Sequence, residues 1–262
     1  MTDVLLMRLD APLMAFGAPM VDQTGPSRRF PGLAQLTGLF ANALGWTHRE
    51  ADRLGALQVR LRLASVLLRE GTALDDFQTV DLGQPFLAQG WTTRRRPEGR
   101  EGGTAATGTH IRYRRYRAGA LVLVAARLDP PEDTPTVHDI AAALDRPARP
   151  LFVGRKPCLP SGPLSLGTVT ADGLVAALAA AVARLGTDPD WRARVLDGGP
   201  FDLADGLVSE WPADEPGDLD TVEEERLVDR RDWHSQIHGG ERLVRRGRLP
   251  PPARLSVPET AP

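Results

Sequence analysis

The chain has 262 residues, a formal net charge of -2 and a sequence pI near 6.2, with 42% hydrophobic and 25% charged residues. Such a chain buries a substantial core in one elaborated domain or two small ones, and its slight acidity excludes a protein that coats nucleic acid over its whole surface. The single cysteine, Cys158, excludes an intramolecular disulfide framework and fits a reducing cytosol. No targeting segment is evident and no apolar run is long enough to span a bilayer, so the expectation is a cytoplasmic protein with no membrane partner.

In chain order, residues 4–9 (Val-Leu-Leu-Met-Arg-Leu) read as a buried strand, and Pro12, Gly17 and Pro19 then break the chain into a loop. Over residues 33–46 the apolar Leu36, Leu39, Phe40, Ala43 and Leu44 recur at helical spacing, with Gly45 as the stop. Residues 57–63 alternate apolar and polar strictly, which predicts a half-buried strand continuing through Val66 to Leu68. The unbroken apolar run 120–126 predicts a central strand. Residues 133–144 predict a helix, with Thr134 and Pro135 as start signals and Val137, Ile140, Ala141 and Leu144 on one face. Leu151, Phe152 and Val153 read as a short strand ended by Gly154.

The order strand, helix, strand, strand, helix, strand predicts an α+β fold, a ferredoxin-like βαββαβ palm over residues 1–167 with a basic hairpin inserted at about 78–118. Beyond it, residues 168–249 predict an alanine-rich helix (172–185) and a small β-rich C-terminal appendix, from strand-like pieces at 194–196, 206–208 and 226–228. The proline-rich segment 250–262 reads as a disordered tail.

The charge is concentrated in residues 92–117. There Arg94, Arg95, Arg96, Arg100, Arg112, Arg114, Arg115 and Arg117 face only Glu98 and Glu101. Glycine and small polar residues fill the middle, so the segment cannot bury a core and projects as an arm. Arginine's planar fork matches phosphate oxygens, and Tyr113 and Tyr116 between the arginines offer stacking surfaces for unpaired bases. A solvated loop in an arginine-biased chain, whose only lysine is Lys156, is the plainer alternative.

Three stretches carry a resemblance to a known family. The first is residues 8–19 (Arg-Leu-Asp-Ala-Pro-Leu-Met-Ala-Phe-Gly-Ala-Pro), with Arg29-Phe30-Pro31 and residues 36–45 beyond it. The second is Thr109, Arg114, Tyr116 and Ala120, at the spacing T-x4-R-x-Y-x3-A. The third is residues 150–158 (Pro-Leu-Phe-Val-Gly-Arg-Lys-Pro-Cys), followed by Pro163-Leu164. In order and spacing the set resembles the CasD family, the RAMP-type subunit of type I-E CRISPR Cascade complexes. The resemblance covers most of residues 1–167. It departs at Gly32 and Ala34, where the family often has hydroxyl residues, and at Met14-Ala15-Phe16-Gly17, where it often has Gln-x-Trp-Gly. Helix-start hydroxyls could help hold a phosphate, and without them only the backbone N–H groups at the start of the first helix remain available for such a contact.

The resemblance implies a non-catalytic RNA-binding subunit that caps the 5′ handle of the CRISPR RNA. Its hairpin, the thumb, would lie against that strand and the adjoining backbone subunit. A large subunit would be a further partner, and target DNA would be met only indirectly, in antiviral DNA interference. The RNA-binding positions it and the charge pattern imply are Arg29, Arg94, Arg95, Arg96, Thr109, His110, Arg112, Tyr113, Arg114, Arg115, Tyr116, Gly154, Arg155 and Lys156. Gly154 would let the backbone approach a phosphate closely.

Two other readings stay open. His110, Tyr113 and Lys156 form the kind of set that cleaves repeat RNA without metal, with His as acid or base and Lys stabilising charge. Alternatively, the arm docks an acidic protein and touches no RNA. His234 and His238 stand four apart, but Gly239 and Gly240 follow and no ligand pair accompanies them, so no metal and no cofactor are expected. Trp191, Trp211 and Trp233 read as core anchors, and Cys158 as a small buried residue.

Overall fold

The computed structural model of the chain describes residues 1–20, 23–84, 89–91, 96–99, 108–197, 206–216, 219 and 221–252. The strands in chain order are β1 (Thr2–Asp10), β2 (Leu13–Met14), β3 (Thr24–Gly25), β4 (Leu61–Arg69), β5 (Thr72–Asp81), β6 (Gln89–Trp91), β7 (Pro97–Gly99), β8 (Thr109–Ala118), β9 (Leu121–Leu128), β10 (Ser165–Ala171), β11 (Leu207–Pro212), β12 (Thr221–Val228), β13 (Arg231–Asp232), β14 (Ile237–His238) and β15 (Glu241–Leu249). The helices are α1 (Leu33–Ala43), α2 (Ala51–Arg60), α3 (Val137–Asp145), α4 (Leu174–Thr187) and α5 (Pro189–Leu196). None of the described helices is long and apolar enough to cross a membrane.

The main sheet is antiparallel throughout, in the order β10-β1-β9-β4-β11-β15-β12. Its central strands are buried on both faces, which is why β1 and β9 read as unbroken apolar runs. Leu5, Met7 and Leu9 of β1, with Val122, Val124 and Ala126 of β9, pack with α1, α2 and α3. Val4 and Leu6, with Leu121, Leu123 and Ala125, face the opposite core under α4 and α5. The central strands β1 and β9, covered on both sides, present no open face on which bases could stack.

Several boundaries differ from the sequence reading. Residues 57–60 end α2 and do not begin a strand. Leu54, Leu57 and Gln58 form its buried helical stripe, whereas Val59, which a half-buried strand would turn inward beside Leu57 and Leu61, is 74% exposed. The strand starts at Leu61. Residues 151–153 are not a strand either. The Val153 N–H donates to the Cys158 carbonyl (2.8 Å) and its carbonyl accepts from the Ala15 N–H (3.1 Å), so this proline-flanked stretch is a tight loop and β10 supplies the fourth palm strand. Residues 194–196 close α5, which Asp188 caps by accepting from the Trp191 N–H (2.9 Å) with Pro189 in the first turn. α3 begins after Thr136, whose hydroxyl and backbone form a capping box with Asp139, and not at Thr134.

The C-terminal strands are likewise not an appendix. β11 pairs with β4 through Ser209–Val66 and Glu210–Ser65, and β15 and β12 follow, so they widen the palm sheet. Trp211 of β11 and Leu249 of β15 join the core under α4 and α5.

Candidate nucleic-acid interface

The arm grows directly from the central hairpin. β4 runs into β5 and β8 into β9, and β5 and β8 pair from Thr72–Ala118 out to Asp81–Thr109, so the ribbon starts earlier than residue 78. At its root stands Gly71, at φ +66°, where a Cβ would lie 2.5 Å from the Ala118 carbonyl oxygen and the Ala120 nitrogen. β2 pairs antiparallel, and β3 parallel, with the inner part of β8 and fix the root.

Alternation then sorts the arm's side chains. His110, Arg112 and Arg114 share a face with Leu74, Asp76, Gln78 and Val80, while Ile111, Tyr113 and Arg115 share the other with Asp75, Phe77 and Thr79. Thr109, His110, Arg112, Arg114 and Arg96 are exposed. Arg114 makes no ion pair among the described residues. Arg94 and Arg95 lie outside the described residues. Tyr113 is 41% exposed and packs on Phe77, ring centroids 5.4 Å apart, so it keeps part of its surface for a partner.

Not every predicted contact is available. Tyr116 is 3% exposed and belongs to the palm core, so it anchors the arm and cannot stack a base. Arg115 is held by Asp75 through two hydrogen bonds (Nε–Oδ1 2.8 Å, Nη2–Oδ2 2.9 Å), which lower the carboxyl of Asp75. Arg29 and Arg117 both pair with Glu70. Arg155 donates to the Arg115 carbonyl (2.8 Å) and the Gly25 carbonyl (3.0 Å), with its guanidinium 4.8 Å from the Tyr116 ring centroid. Its donors are thus largely spent on stapling β3, β8 and the 153–158 loop together. Gly154, at φ +109°, is required by the protein's own packing, because a Cβ there would lie 2.0 Å from the Ala15 carbonyl oxygen. Lys156 stays exposed on the same turn.

The start of α1 is also occupied. The Leu33 N–H donates to Asp229 Oδ2 (3.0 Å) and the Ala34 N–H to the Asp229 carbonyl (3.0 Å), so these two N–H groups are taken by Asp229 and not left for a phosphate. Asp229 arrives from 196 residues away in sequence, which no local motif reveals.

Glu70 gives the arm's root a pH dependence. Burial pushes its carboxyl up, but hydrogen bonds from Arg29 and Arg117 outweigh this and hold it below the usual range. A carboxyl lowered on folding contributes stability that is complete above its unfolded pKa, about 4.3, and is lost as pH falls through the folded value. Glu70→Gln is expected to flatten the acid-side fall in stability below about pH 4.3, followed by circular dichroism. At a site 46% exposed the difference is at most about 1 kcal/mol.

A cavity of about 250 Å³ adjoins this root, between the Gly154 turn, the start of α1 and residues 229–238. Gln35, Asp229, Arg231, Trp233 and His238 line it, with Arg155 at the arm side. Of these, Gln35, Asp229 and Arg231 carry no motif in the sequence. The only local signal is a dense polar run, Asp229 to His234, directly after β12. His234 instead contacts Asp52 (Nε2–Oδ1 3.0 Å), and no group of three or more His, Cys, Asp or Glu able to hold a metal occurs among the described residues. Cys158 is fully buried, and burial pushes its thiol up.

These features define an antiparallel α+β protein whose central hairpin is drawn out into a basic ribbon. The profile of the family described as CRISPR-associated protein (Cas_Cas5) matches residues 4–245, and the chain belongs to that family. A curated relative, the CRISPR system Cascade subunit CasD of Escherichia coli (strain K12), is 30% identical over 179 residues, covering 65% of this chain and 73% of that protein. Among solved structures, a chain of a CRISPR RNA-guided surveillance complex superposes with a TM-score of 0.62 at 21% identity, over 96% of this chain and 92% of that one. A crystal structure of a Cas protein superposes with a TM-score of 0.53 at 22% identity, over 95% of each chain. At these identities the structural likeness is one of fold.

Proposed function

We propose that the chain is a non-catalytic subunit of a type I-E-like Cascade complex and holds the 5′ handle of the CRISPR RNA with its arm. The observation that carries this reading is the pair Arg112 and Arg114, exposed on one face of a ribbon otherwise stapled to the palm, with Lys156 exposed on the turn beyond Arg155. The strand order β10-β1-β9-β4 with α1 and α3 on one side supports a ferredoxin-like palm. On the opposite face of the arm, Phe77 (55% exposed), Tyr113 and Ile111 form an apolar strip suited to the adjoining backbone subunit. A large subunit is the further partner, target DNA is reached through the assembled complex in antiviral interference, and the setting is the cytoplasm.

Cleavage of repeat RNA by this chain is disfavoured by geometry. His110 and Tyr113 are three apart on one strand and project to opposite faces of the ribbon, so they do not converge on one phosphate.

The test is a salt titration of RNA affinity. Three to four neutralised phosphates on a single strand give a log–log slope of roughly -2 to -3. Arg114→Ala is expected to flatten that slope by about 0.7 and weaken binding by about 1–2 kcal/mol, almost regardless of RNA sequence. Normal affinity with an unchanged slope would leave an acidic protein as the arm's partner.

A further inference from the structure

A second cavity, of about 350 Å³, opens between the C-terminal half of α1, the 46–48 turn and α2, and no residue of the arm lines it. Its floor is apolar, a small cluster of Ala41, Leu54 and Trp233 in which no member is more than 7% exposed. Arg149 lies on its wall, and no carboxylate is among the lining residues. This guanidinium is half-buried and held in place, since its Nε donates to Asn42 Oδ1 (2.9 Å) and its Nη2 to the Trp46 carbonyl, while Asn42 Nδ2 is itself tied to the Pro150 carbonyl (2.8 Å). Every one of these acceptors is neutral. The neighbouring Arg53, whose guanidinium lies 4.0 Å from the Trp46 ring centroid, has Glu50 as a counter-ion, whereas Arg149 has no carboxylate partner among the described residues. A half-buried, immobilised cation held only by neutral oxygens favours an anionic partner.

Gly38, in the middle of α1, keeps the space above this floor open. A Cβ there would meet only Trp233 Cη2 within 4 Å, at the ordinary contact distance of 3.8 Å, and the position lies in a regular helix. Glycine inside a helix is destabilising relative to alanine, and neither backbone conformation nor packing within this chain requires it here. The floor and the wall together set the chemistry of an occupant. A phosphate would meet Arg149 but leave the apolar floor uncovered. An aliphatic or aromatic side chain covers the floor, and an adjacent carboxylate meets the remaining donors of Arg149. The volume, at the lower end of the roughly 300–1,000 Å³ range of ligand sites, suits one large side chain.

We propose that this cavity docks an acidic segment of another protein, seating one Leu or Phe side chain on Ala41, Leu54 and Trp233 and a flanking carboxylate on Arg149. The site is separate from the arm and does not depend on the arm's proposed role. Binding energy at protein interfaces concentrates in such buried anchors, and the charge beside them selects the partner.

The experiment is fluorescence polarisation on the full chain with a labelled peptide that carries a central Leu-Phe pair flanked by Asp and Glu. Two control peptides replace either the flanks by Lys or the Leu-Phe pair by Ser-Gly. Wild type is expected to bind the acidic apolar peptide about tenfold more tightly than either control. Gly38→Leu fills the cavity from a helix position, so it is expected to melt at or above the wild-type temperature and yet to bind that peptide about tenfold more weakly. Arg149→Gln is expected to lose the preference for acidic over Lys flanks and to keep the preference for Leu-Phe over Ser-Gly. Arg114→Ala, in the arm, is expected to bind the peptide as wild type does. Equal binding of the three peptides by wild type, or unchanged binding by a folded Gly38→Leu variant, would overturn the proposal. Loss of binding in Arg114→Ala would overturn it in favour of the arm as the acidic-protein dock, and displacement of the peptide by single-stranded oligouridine would overturn it in favour of RNA.

Discussion

Asp229→Ala is expected to lower folding stability by about 3–5 kcal/mol, the cost of removing one partner from a buried ion pair. Asp229 is 2% exposed, and its Oδ2 accepts from both the Leu33 N–H (3.0 Å) and Arg242 Nε (2.9 Å). Alanine would leave the first N–H of α1 without a cap and Arg242 buried beside Glu210 alone, at 3.5 Å. In the wild type, burial raises the Glu210 carboxyl despite Arg242 and Arg246, with the neighbouring Asp229 charge adding to the rise. Asp229→Asn keeps an acceptor for the helix and loses only the charge, so a smaller loss of about 1–2 kcal/mol is expected. Denaturant unfolding of the two variants side by side separates capping from ion pairing. Equal stability of Asp229→Ala and wild type would show that the helix start is not held from the C-terminal region.

Gly154→Ala is expected to be nearly as damaging, at about 2–5 kcal/mol from backbone strain and overpacking together. Two independent constraints act there, the positive φ of 109° and the 2.0 Å approach of a Cβ to the Ala15 carbonyl oxygen. Relief requires the 153–158 loop to withdraw, breaking the Val153 to Ala15 hydrogen bond and pulling Arg155 from the arm root. The melting temperature should fall by on the order of 5–15 °C. RNA affinity should fall too, because the staple orients the arm. A variant with wild-type melting and weakened RNA binding would instead mean that Gly154 serves the ligand directly.

Local physics made much of the palm legible in the sequence. An unbroken apolar run is sufficient to mark β9, because a strand buried on both faces admits few other residues, and the helical stripe of α1 is similarly self-evident. Alternation over 57–60 misled because four residues satisfy a period of two and a helical face alike, and only the exposure of Val59 distinguishes them. The basic arm was visible as charge, yet its accounting was not. Asp75 and Glu70, which neutralise Arg115, Arg117 and Arg29, sit on the opposite strand or at its root, about 40 residues away in sequence. Tyr116 looks like a stacking residue between arginines and becomes core because the ribbon enters the palm at that point. Asp229 and the cavity depend on β11, β15 and β12 continuing the sheet, a long-range pairing that no segment specifies alone.

Photocrosslinking of the assembled complex tests the central claim most directly. With 4-thiouridine placed singly along the 5′ handle of the CRISPR RNA, crosslinks from the handle are expected on this chain, at Lys156 and on the β8 face that carries His110, Arg112 and Arg114. Handle crosslinks confined to other subunits, with none on β8 or the 153–158 loop, would contradict the proposed role of the arm.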